Sequence, residues 1–234
     1  MHILLVTLLA LAFSACGSNT PVPPERTSGA DSPAPAPVGP DDRGIIVAFG
    51  DSLTAGPGVA RGKAYPDFLQ QEIDRRGLPF RVINEGVSGD TTDMGLARVG
   101  SVIARSPDFV VVEFGGNDGL RALPVDLMQE NLRQIIRQLQ ESGAVVVLAG
   151  MKLPPNYGPV YTAAFENAFM QLAQEMDVTF LPFLLEGVGG RAEMMQEDGT
   201  HPTAEGNQRV AENVFAVIEP LLGEAAAARI PKEP

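Results

Sequence analysis

The chain has 234 residues, of which 44% are apolar and 20% are charged. This composition is ordinary for one globular domain with terminal extensions, and it excludes a mainly disordered chain. The formal net charge is −12, which makes nucleic acid an unfavourable partner, because an acidic surface repels phosphate backbones.

The amino-terminal segment has the pattern of a bacterial export signal. Residues 3–13 are apolar except for one threonine, a length that fits the core of a secretory signal but is too short to span a bilayer. Ser14 and Ala15 then precede Cys16, which resembles the cleavage and acylation site of bacterial lipoproteins. We therefore expect residues 1–15 to be a signal peptide and Cys16 to carry a lipid anchor to a membrane of the cell envelope, with the protein on the periplasmic side. The alternative is plain secretion with a free Cys16, which gives a soluble secreted or periplasmic protein.

The segment after Cys16 has a different composition from the signal and from the rest of the chain. Seven of the twenty prolines lie between residues 17 and 43, and large aliphatic residues are scarce there. Such a segment cannot bury enough apolar surface to fold, and proline keeps it extended. We expect a tether over residues 16–43, a folded domain over 44–223 and a flexible tail over 224–234.

Within the expected domain, short buried strands alternate with amphipathic helices. Runs rich in Val, Ile and Phe predict five strands, at residues 45–49, 80–84, 109–114, 144–149 and 178–181. Apolar residues at helical spacing predict helices at residues 64–76, 92–105, 126–142, 160–176 and 203–222. This alternation predicts an α/β fold, a three-layer α/β/α sandwich around a five-stranded parallel sheet.

Small polar residues follow the first three predicted strands and precede the last predicted helix. They are residues 50–52 (Gly-Asp-Ser), 88–90 (Ser-Gly-Asp), 115–118 (Gly-Gly-Asn-Asp) and 198–201 (Asp-Gly-Thr-His). Parallel sheets bind ligands at the carboxyl ends of their strands, where such turn-forming residues meet. We therefore expect these four segments to surround a shared site.

Ser52 is a candidate nucleophile in that site. It follows a buried strand and begins a predicted helical turn, whose positive end suits a developing oxyanion. A serine hydroxyl reacts at neutral pH only when a base takes its proton. The chain has two histidines, and because His2 lies in the predicted signal, His201 is the candidate base. Asp198, three residues earlier, can lie on the same side of a turn and hold the ring in the required tautomer.

Three hydrogen-bond donors at the same strand ends suit a tetrahedral intermediate. They are the backbone N–H of Ser52, the backbone N–H of Gly89 and the side-chain amide of Asn117. Two segments that follow strands at this edge, residues 119–123 and 153–157, mix apolar residues with Gly or Pro, and they are expected to form the acyl pocket. The predicted pocket residues are Leu120, Leu123, Pro155 and Tyr157.

Each motif also has an interpretation without catalysis. Gly-Asp-Ser alone is common in turns, Asp-x-x-His alone occurs as a helix cap, and Ser88 is a rival nucleophile at another strand end. Their occurrence together, in this order and at successive strand ends, favours a catalytic site. Other chemistries lack their motifs, since the chain has no Gly-x-Ser-x-Gly elbow and no Gly-Lys-Ser/Thr phosphate loop. The single cysteine excludes an intrachain disulfide and a thiolate metal cluster.

These motifs resemble the four sequence blocks of the GDSL, or SGNH, serine hydrolase family. The matching residues are Gly50-Asp51-Ser52-Leu53, Gly89, Gly115-Gly116-Asn117-Asp118 and Asp198-Gly199-Thr200-His201-Pro202. Within the family, the chain is most similar to the bacterial multifunctional thioesterase, lysophospholipase and arylesterase group, through residues 88–92, 95–98, 113–121 and 153–158. The resemblance covers about residues 45–222 and specifies the hydrolase class but not the substrate.

The resemblance implies a flavodoxin-like SGNH-hydrolase fold with Ser52 as nucleophile, His201 as base and Asp198 as the residue that orients the base. It also implies an oxyanion hole formed by Ser52, Gly89 and Asn117, and it implies no metal and no cofactor. These roles agree with the assignment made from the residues themselves.

The expected function is that of an exported serine esterase that hydrolyses acyl esters through an acyl-enzyme. Its activity is expected to be arylesterase-like or lysophospholipase-like, with thioesterase activity left open. Its partners are then a small acyl ester or lysophospholipid and, through Cys16, a membrane. One alternative is an O-deacetylase of carbohydrate or cell-wall polymers from the same family. Another is a non-catalytic envelope binding module, against which the intact Ser52, Asp198 and His201 argue.

Overall fold

The computed structural model describes residues 42–229. The predicted signal peptide, Cys16 and nearly all of the predicted tether lie outside the described residues. The sheet contains β1 (Gly44–Gly50), β2 (Phe80–Gly86), β3 (Phe109–Glu113), β4 (Val145–Ala149) and β5 (Thr179–Leu181). The helices of the described part are α1 (Ser52–Ala55), α2 (Tyr65–Arg75), α3 (Thr92–Ile103), α4 (Gly116–Leu120), α5 (Val125–Glu141), α6 (Pro159–Glu175) and α7 (Ala204–Arg229). A 3₁₀ turn, Pro155–Tyr157, lies between β4 and α6.

The strands are all parallel and lie in the order β2-β1-β3-β4-β5. Strand β3 is therefore central, and all five of its residues are buried. The helices pack in two groups, α2 with α7 on the one hand and α3 with α5 and α6 on the other. The predicted α/β sandwich with a five-stranded parallel sheet is confirmed.

The local sequence explains why these segments form strands. The runs in β1, β3 and β4 are continuously apolar and rich in β-branched residues, as expected where helices cover both faces of a parallel sheet. Two edge-to-face ring pairs, Phe49 with Phe114 and Phe80 with Phe109, fill the space around β1 and β3.

The last helix is longer than the sequence analysis predicts. Residues 224–229, which lie in the expected tail, belong to α7 in the structure. Residues 225–228 are four consecutive alanines, and alanine has the highest helix propensity, so the helix continues past Gly223. Within residues 42–229, no helix combines the length and the apolar character needed to cross a membrane.

The end of β1 determines where Ser52 lies. A Cβ atom at Gly50 would lie 2.2 Å from Thr54 Oγ1 and 2.4 Å from Glu113 Oε2, so only glycine fits between these side chains. The chain then turns directly into α1, whose first residue is Ser52. The carboxyl edge of the sheet thus presents this hydroxyl beside the loops that follow β2 and β3.

Candidate active site

The side chains of Ser52, His201 and Asp198 form one hydrogen-bonded line. Ser52 Oγ lies 2.9 Å from His201 Nε2, and His201 Nδ1 lies 2.6 Å from Asp198 Oδ2. When Nδ1 carries the proton and donates it to the carboxylate, Nε2 has a lone pair directed at the serine hydroxyl. The structure therefore brings together the three residues that the sequence analysis singles out as nucleophile, base and orienting acid.

A turn of the backbone fixes the position of Asp198. Its Oδ1 accepts hydrogen bonds from the backbone N–H of Thr200 at 2.9 Å and of His201 at 3.0 Å, while Oδ2 faces the imidazole. The hydrogen bond from His201, supported by the two backbone donors, lowers the pKa of Asp198 to about 2. The carboxylate consequently stays ionised at neutral pH, which suits stabilisation of an imidazolium.

Asp51 holds the turn that carries Ser52. Its Oδ1 accepts the backbone N–H of Leu53 at 3.0 Å and so caps helix α1. Its Oδ2 accepts a hydrogen bond from Asn117 Nδ2 at 2.9 Å, which connects the turn of Ser52 to helix α4. Asp51 is buried, and burial raises its pKa to about 6 despite these hydrogen bonds.

Asn117 and Gly89, the two other predicted oxyanion donors, line the same cleft as Ser52. Gly89 has a φ of 87°, in the left-handed region, and its carbonyl accepts a hydrogen bond from Arg121. Besides its bond to Asp51, Asn117 Nδ2 donates to the carbonyl of Asp90 at 3.0 Å, so both amide hydrogens already have acceptors. Donation to an oxyanion therefore requires one of these two bonds to be shared or exchanged.

The rival serine lies in the same cleft but not in the hydrogen-bonded line. Ser88 lines the cleft with Ser52. Among the hydrogen bonds of the described residues, His201 Nε2 is joined to Ser52 and no bond joins it to Ser88. The geometry thus favours Ser52 over Ser88 as the hydroxyl that the imidazole can deprotonate.

The cleft beside Ser52 is a mainly apolar space of about 640 Å³. Leu120 and Pro155, two predicted pocket residues, line it, whereas Leu123 and Tyr157 are not among its lining residues in the described part of the chain. Tyr157 contacts the cleft wall from outside, because its hydroxyl donates a hydrogen bond to the carbonyl of Leu120 at 2.9 Å. Tyr161, in α6, donates to the carbonyl of Leu123 at 2.8 Å.

The sequence analysis missed part of the cleft wall. Leu153 and Pro154, in the second expected segment, line the cleft, and the apolar lining residues outside the two expected segments are Leu53, Pro57, Met151, Phe183, Leu185 and Met195. Phe183 and Leu185 follow the end of β5, so the rule that ligands bind at the carboxyl ends of strands could have found them. The carboxyl group of Glu113 was also missed, although an acidic residue at the end of a buried Val run is an unusual feature. In the described residues, no group of three His, Cys, Asp or Glu side chains is arranged to hold a metal ion.

Comparison with known proteins shows the family of the chain. Residues 48–209 match the model of the GDSL-like Lipase/Acylhydrolase family. The chain is 40% identical to Esterase TesA of Pseudomonas aeruginosa over 76% of this chain and 89% of that protein. It is 39% identical to an Arylesterase of Vibrio mimicus over 72% and 85% of the two chains, respectively. It is 36% identical to Thioesterase 1/protease 1/lysophospholipase L1 of Escherichia coli K12 over 76% of this chain and 84% of that protein.

A solved structure shows the same fold. The crystal structure of TesA superposes with a TM-score of 0.74 at 40% sequence identity, covering 76% of this chain and 99% of that one. The family model covers the segments that carry Ser52, Gly89, Asn117, Asp198 and His201. The chain belongs to the GDSL-like lipase/acylhydrolase family and is a carboxylic ester hydrolase.

Proposed function

We propose that the chain is an exported serine esterase that hydrolyses acyl esters through an acyl-enzyme on Ser52. The observation that carries this proposal is the line from Ser52 Oγ through the His201 ring to Asp198, with spacings of 2.9 Å and 2.6 Å, at the side of an apolar cleft. The names of the relatives, which include an esterase, an arylesterase and a lysophospholipase, support an acyl ester as substrate.

The first half-reaction forms the acyl-enzyme. His201 Nε2 takes the proton of Ser52 as Oγ bonds to the acyl carbon, and the carbonyl oxygen becomes an oxyanion. The backbone N–H groups of Ser52 and Gly89 and the amide of Asn117 are proposed to stabilise this oxyanion. The imidazolium then gives its proton to the leaving alcohol as the C–O bond breaks, while Asp198 stabilises the positive ring.

The second half-reaction regenerates the enzyme with the same groups. Water takes the place of the alcohol, and His201 removes its proton as the water oxygen bonds to the acyl carbon of the Ser52 ester. Collapse of this second intermediate returns the proton to Ser52 Oγ and releases the carboxylic acid. Asn117 has to exchange its bond to the Asp90 carbonyl, or share it, whenever the oxyanion is present.

An ester panel tests the substrate class. We expect the purified domain to hydrolyse aryl esters and lysophospholipid, with rates that rise from acetyl to medium acyl chains because the cleft has a volume of about 640 Å³ and is mainly apolar. A thioester in the same panel tests for thioesterase activity, which the name of the E. coli relative suggests. Hydrolysis of acetylated sugars alone would point to an O-deacetylase, and no hydrolysis at all to a binding module.

Leu120 offers a sharper test of where the acyl chain lies. Its side chain lines the cleft and is 43% exposed, so a ligand can reach it, whereas Leu123 is not a lining residue. Leu120→Ala is expected to lower kcat/KM for a medium-chain ester about tenfold relative to the acetyl ester, because each buried methylene contributes about 1 kcal/mol. Leu123→Ala removes the same atoms outside the cleft and should keep the wild-type chain-length profile. Equal shifts in both variants, or none in Leu120→Ala, would place the acyl chain elsewhere.

We further propose that residues 1–15 are a lipoprotein signal peptide and that acylated Cys16 anchors the enzyme through the tether of residues 16–43. The enzyme then acts on the periplasmic side of the cell envelope, where lysophospholipids and other acyl esters are within reach. Expression of the full-length gene with labelled palmitate is expected to label the protein, and Cys16→Ser to abolish the label. A soluble protein cleaved at another position would remove the anchor and leave the secreted alternative.

A further inference from the structure

Two buried carboxyl groups, those of Asp51 and Glu113, lie directly beneath the proposed nucleophile. Asp51 precedes Ser52, and Glu113 ends the central strand β3, where its Cα pairs in register with Gly50. Asp51 is 2% exposed and Glu113 is fully buried. Neither carboxyl group has a part in the acyl-transfer steps proposed above, although burial of an ionised carboxyl group costs free energy unless the group is paired and hydrogen-bonded.

The contacts of Glu113 are all on one oxygen. Its Oε2 accepts hydrogen bonds from Thr54 Oγ1 at 2.8 Å and from the backbone N–H of Asp51 at 3.2 Å. Its Oε1 is buried and has no hydrogen-bond partner in residues 42–229. No lysine or arginine of the described residues forms an ion pair with it. A negative charge on Glu113 would therefore be offset only by the two donors on Oε2, with no cation of the described residues paired to it.

The contacts of Asp51 are distributed differently. One oxygen accepts the backbone N–H of Leu53 and the other accepts the amide of Asn117, so both oxygens of Asp51 have donors. Two carboxyl groups buried side by side cannot both ionise readily, because each charge raises the pKa of the other group. The donors favour the charge on Asp51, and the unpartnered Oε1 of Glu113 is where a proton can reside.

We propose that Glu113 is a positioning residue that remains protonated, so that the pair carries a single negative charge, on Asp51, and the turn of Ser52 and the amide of Asn117 keep their places. This role rests on the proposed function, since it acts on the proposed nucleophile and oxyanion donor. Glu113 fixes the turn through the Asp51 N–H and Thr54, and the charged Asp51 fixes Asn117. If Glu113 were also ionised, the pair would carry two negative charges. The added charge would repel the developing oxyanion and loosen this arrangement.

The pKa values of the two carboxyl groups agree with this assignment. Burial, with the neighbouring charge of Asp51, raises the pKa of Glu113 well above its usual range. The pKa of Asp51 is raised to about 6, so Asp51 is ionised at pH 7 and above. Two other ionisable groups lie near the pair. The charge of a protonated His201 lowers the pKa of Asp51, and burial raises the pKa of Tyr65 further into the alkaline range. Arg98 donates to the carbonyl of Gly50 at 2.9 Å and pairs with Asp90 at 2.7 Å.

A pair of variants tests the role in turnover. Glu113→Gln keeps an acceptor for Asp51 N–H and Thr54 and cannot ionise, so kcat at pH 7.5 is expected to stay within about fivefold of wild type. Glu113→Leu removes that acceptor, so kcat is expected to fall by at least about tenfold with KM nearly unchanged, because Ser52 and Asn117 lose their alignment. Wild-type kcat should also decline at alkaline pH as Glu113 ionises, and Glu113→Gln should lack this decline. Thermal unfolding of both variants checks that they remain folded.

Infrared spectroscopy tests the protonation state without turnover. The wild-type protein near pH 7.5 is expected to show the C=O stretch of a buried protonated carboxyl group, which Glu113→Gln should lack. The band should persist in Ser52→Ala, so that failure of the proposed catalytic mechanism would leave this result intact. Absence of the band in wild type would overturn the proposal. So would a loss of kcat in Glu113→Gln as large as that in Glu113→Leu, or a Glu113→Gln variant that keeps the decline of kcat at alkaline pH.

Discussion

Replacement of Ser52 with alanine is expected to lower kcat for every ester by about 10⁶-fold, leaving only weak residual hydrolysis. The variant lacks the atom that bonds to the acyl carbon, and no other hydroxyl of the described residues is hydrogen-bonded to His201 Nε2. Asp51, not Ser52, caps helix α1, so the free energy of unfolding should change by less than about 1 kcal/mol. Initial rates on an aryl ester, corrected for spontaneous hydrolysis, measure the loss.

Ser88→Ala is the matched control for this variant. Ser88 lines the same cleft and is altered by the same single oxygen, but it lies outside the hydrogen-bonded line of His201 and Asp198. Its kcat should remain within about threefold of wild type, a change of less than 1 kcal/mol in the barrier. The opposite pattern, an active Ser52→Ala and an inactive Ser88→Ala, would transfer the nucleophile to the loop after β2.

The Asp198→Asn variant is expected to lose about 10⁴-fold in kcat while keeping the fold. The backbone N–H groups of Thr200 and His201 donate to Oδ1, so an asparagine will direct its carbonyl oxygen toward them. Its NH₂ group then faces His201 Nδ1 and favours the tautomer in which Nε2 carries the proton. A ring in that tautomer cannot accept the proton of Ser52.

The pH dependence separates Asp198 from the base. Because its hydrogen bond to His201 lowers the pKa of Asp198 to about 2, this carboxylate is ionised throughout the usual assay range. A loss of activity within that range is therefore expected from a group other than Asp198. A rate in Asp198→Asn equal to that of wild type at every pH would mean that Asp198 serves only to cap its turn, through the two backbone donors.

Much of the fold could be predicted because its physical causes are local. The strands β1, β3 and β4 are mostly buried on both faces, so each contains a continuous apolar run that the sequence displays directly, followed in β3 by Glu113. Helices α1 and α4 contain four and five residues, too few for an apolar period to appear, so α1 was predicted only as a helical turn beginning at Ser52 and α4 was not predicted. The end of α7 was predicted too early because the segment from residue 224 was read as a tail, while the alanines in it extend the helix.

The site could be predicted only where its residues follow strand ends in recognisable motifs. Ser52, Asn117 and His201 belong to such motifs, and the parallel topology brings them together. Side-chain direction is not visible in the sequence, which is why Leu123 and Tyr157 were expected in the cleft wall and Phe183 was not. The contact of Glu113 with Thr54 joins residues 59 positions apart, and no local pattern predicts such a contact.

The most direct test of the account is to identify the residue that reacts. An activated alkyl phosphonate, which mimics the tetrahedral intermediate, should inactivate the enzyme with a stoichiometry of about one, since an activated nucleophile reacts with it covalently. After proteolysis, mass spectrometry is expected to find the adduct on the peptide that contains Ser52 and on its hydroxyl, with no adduct in Ser52→Ala. An adduct on Ser88, or inactivation of Ser52→Ala at the wild-type rate, would contradict the assignment of Ser52 as the nucleophile.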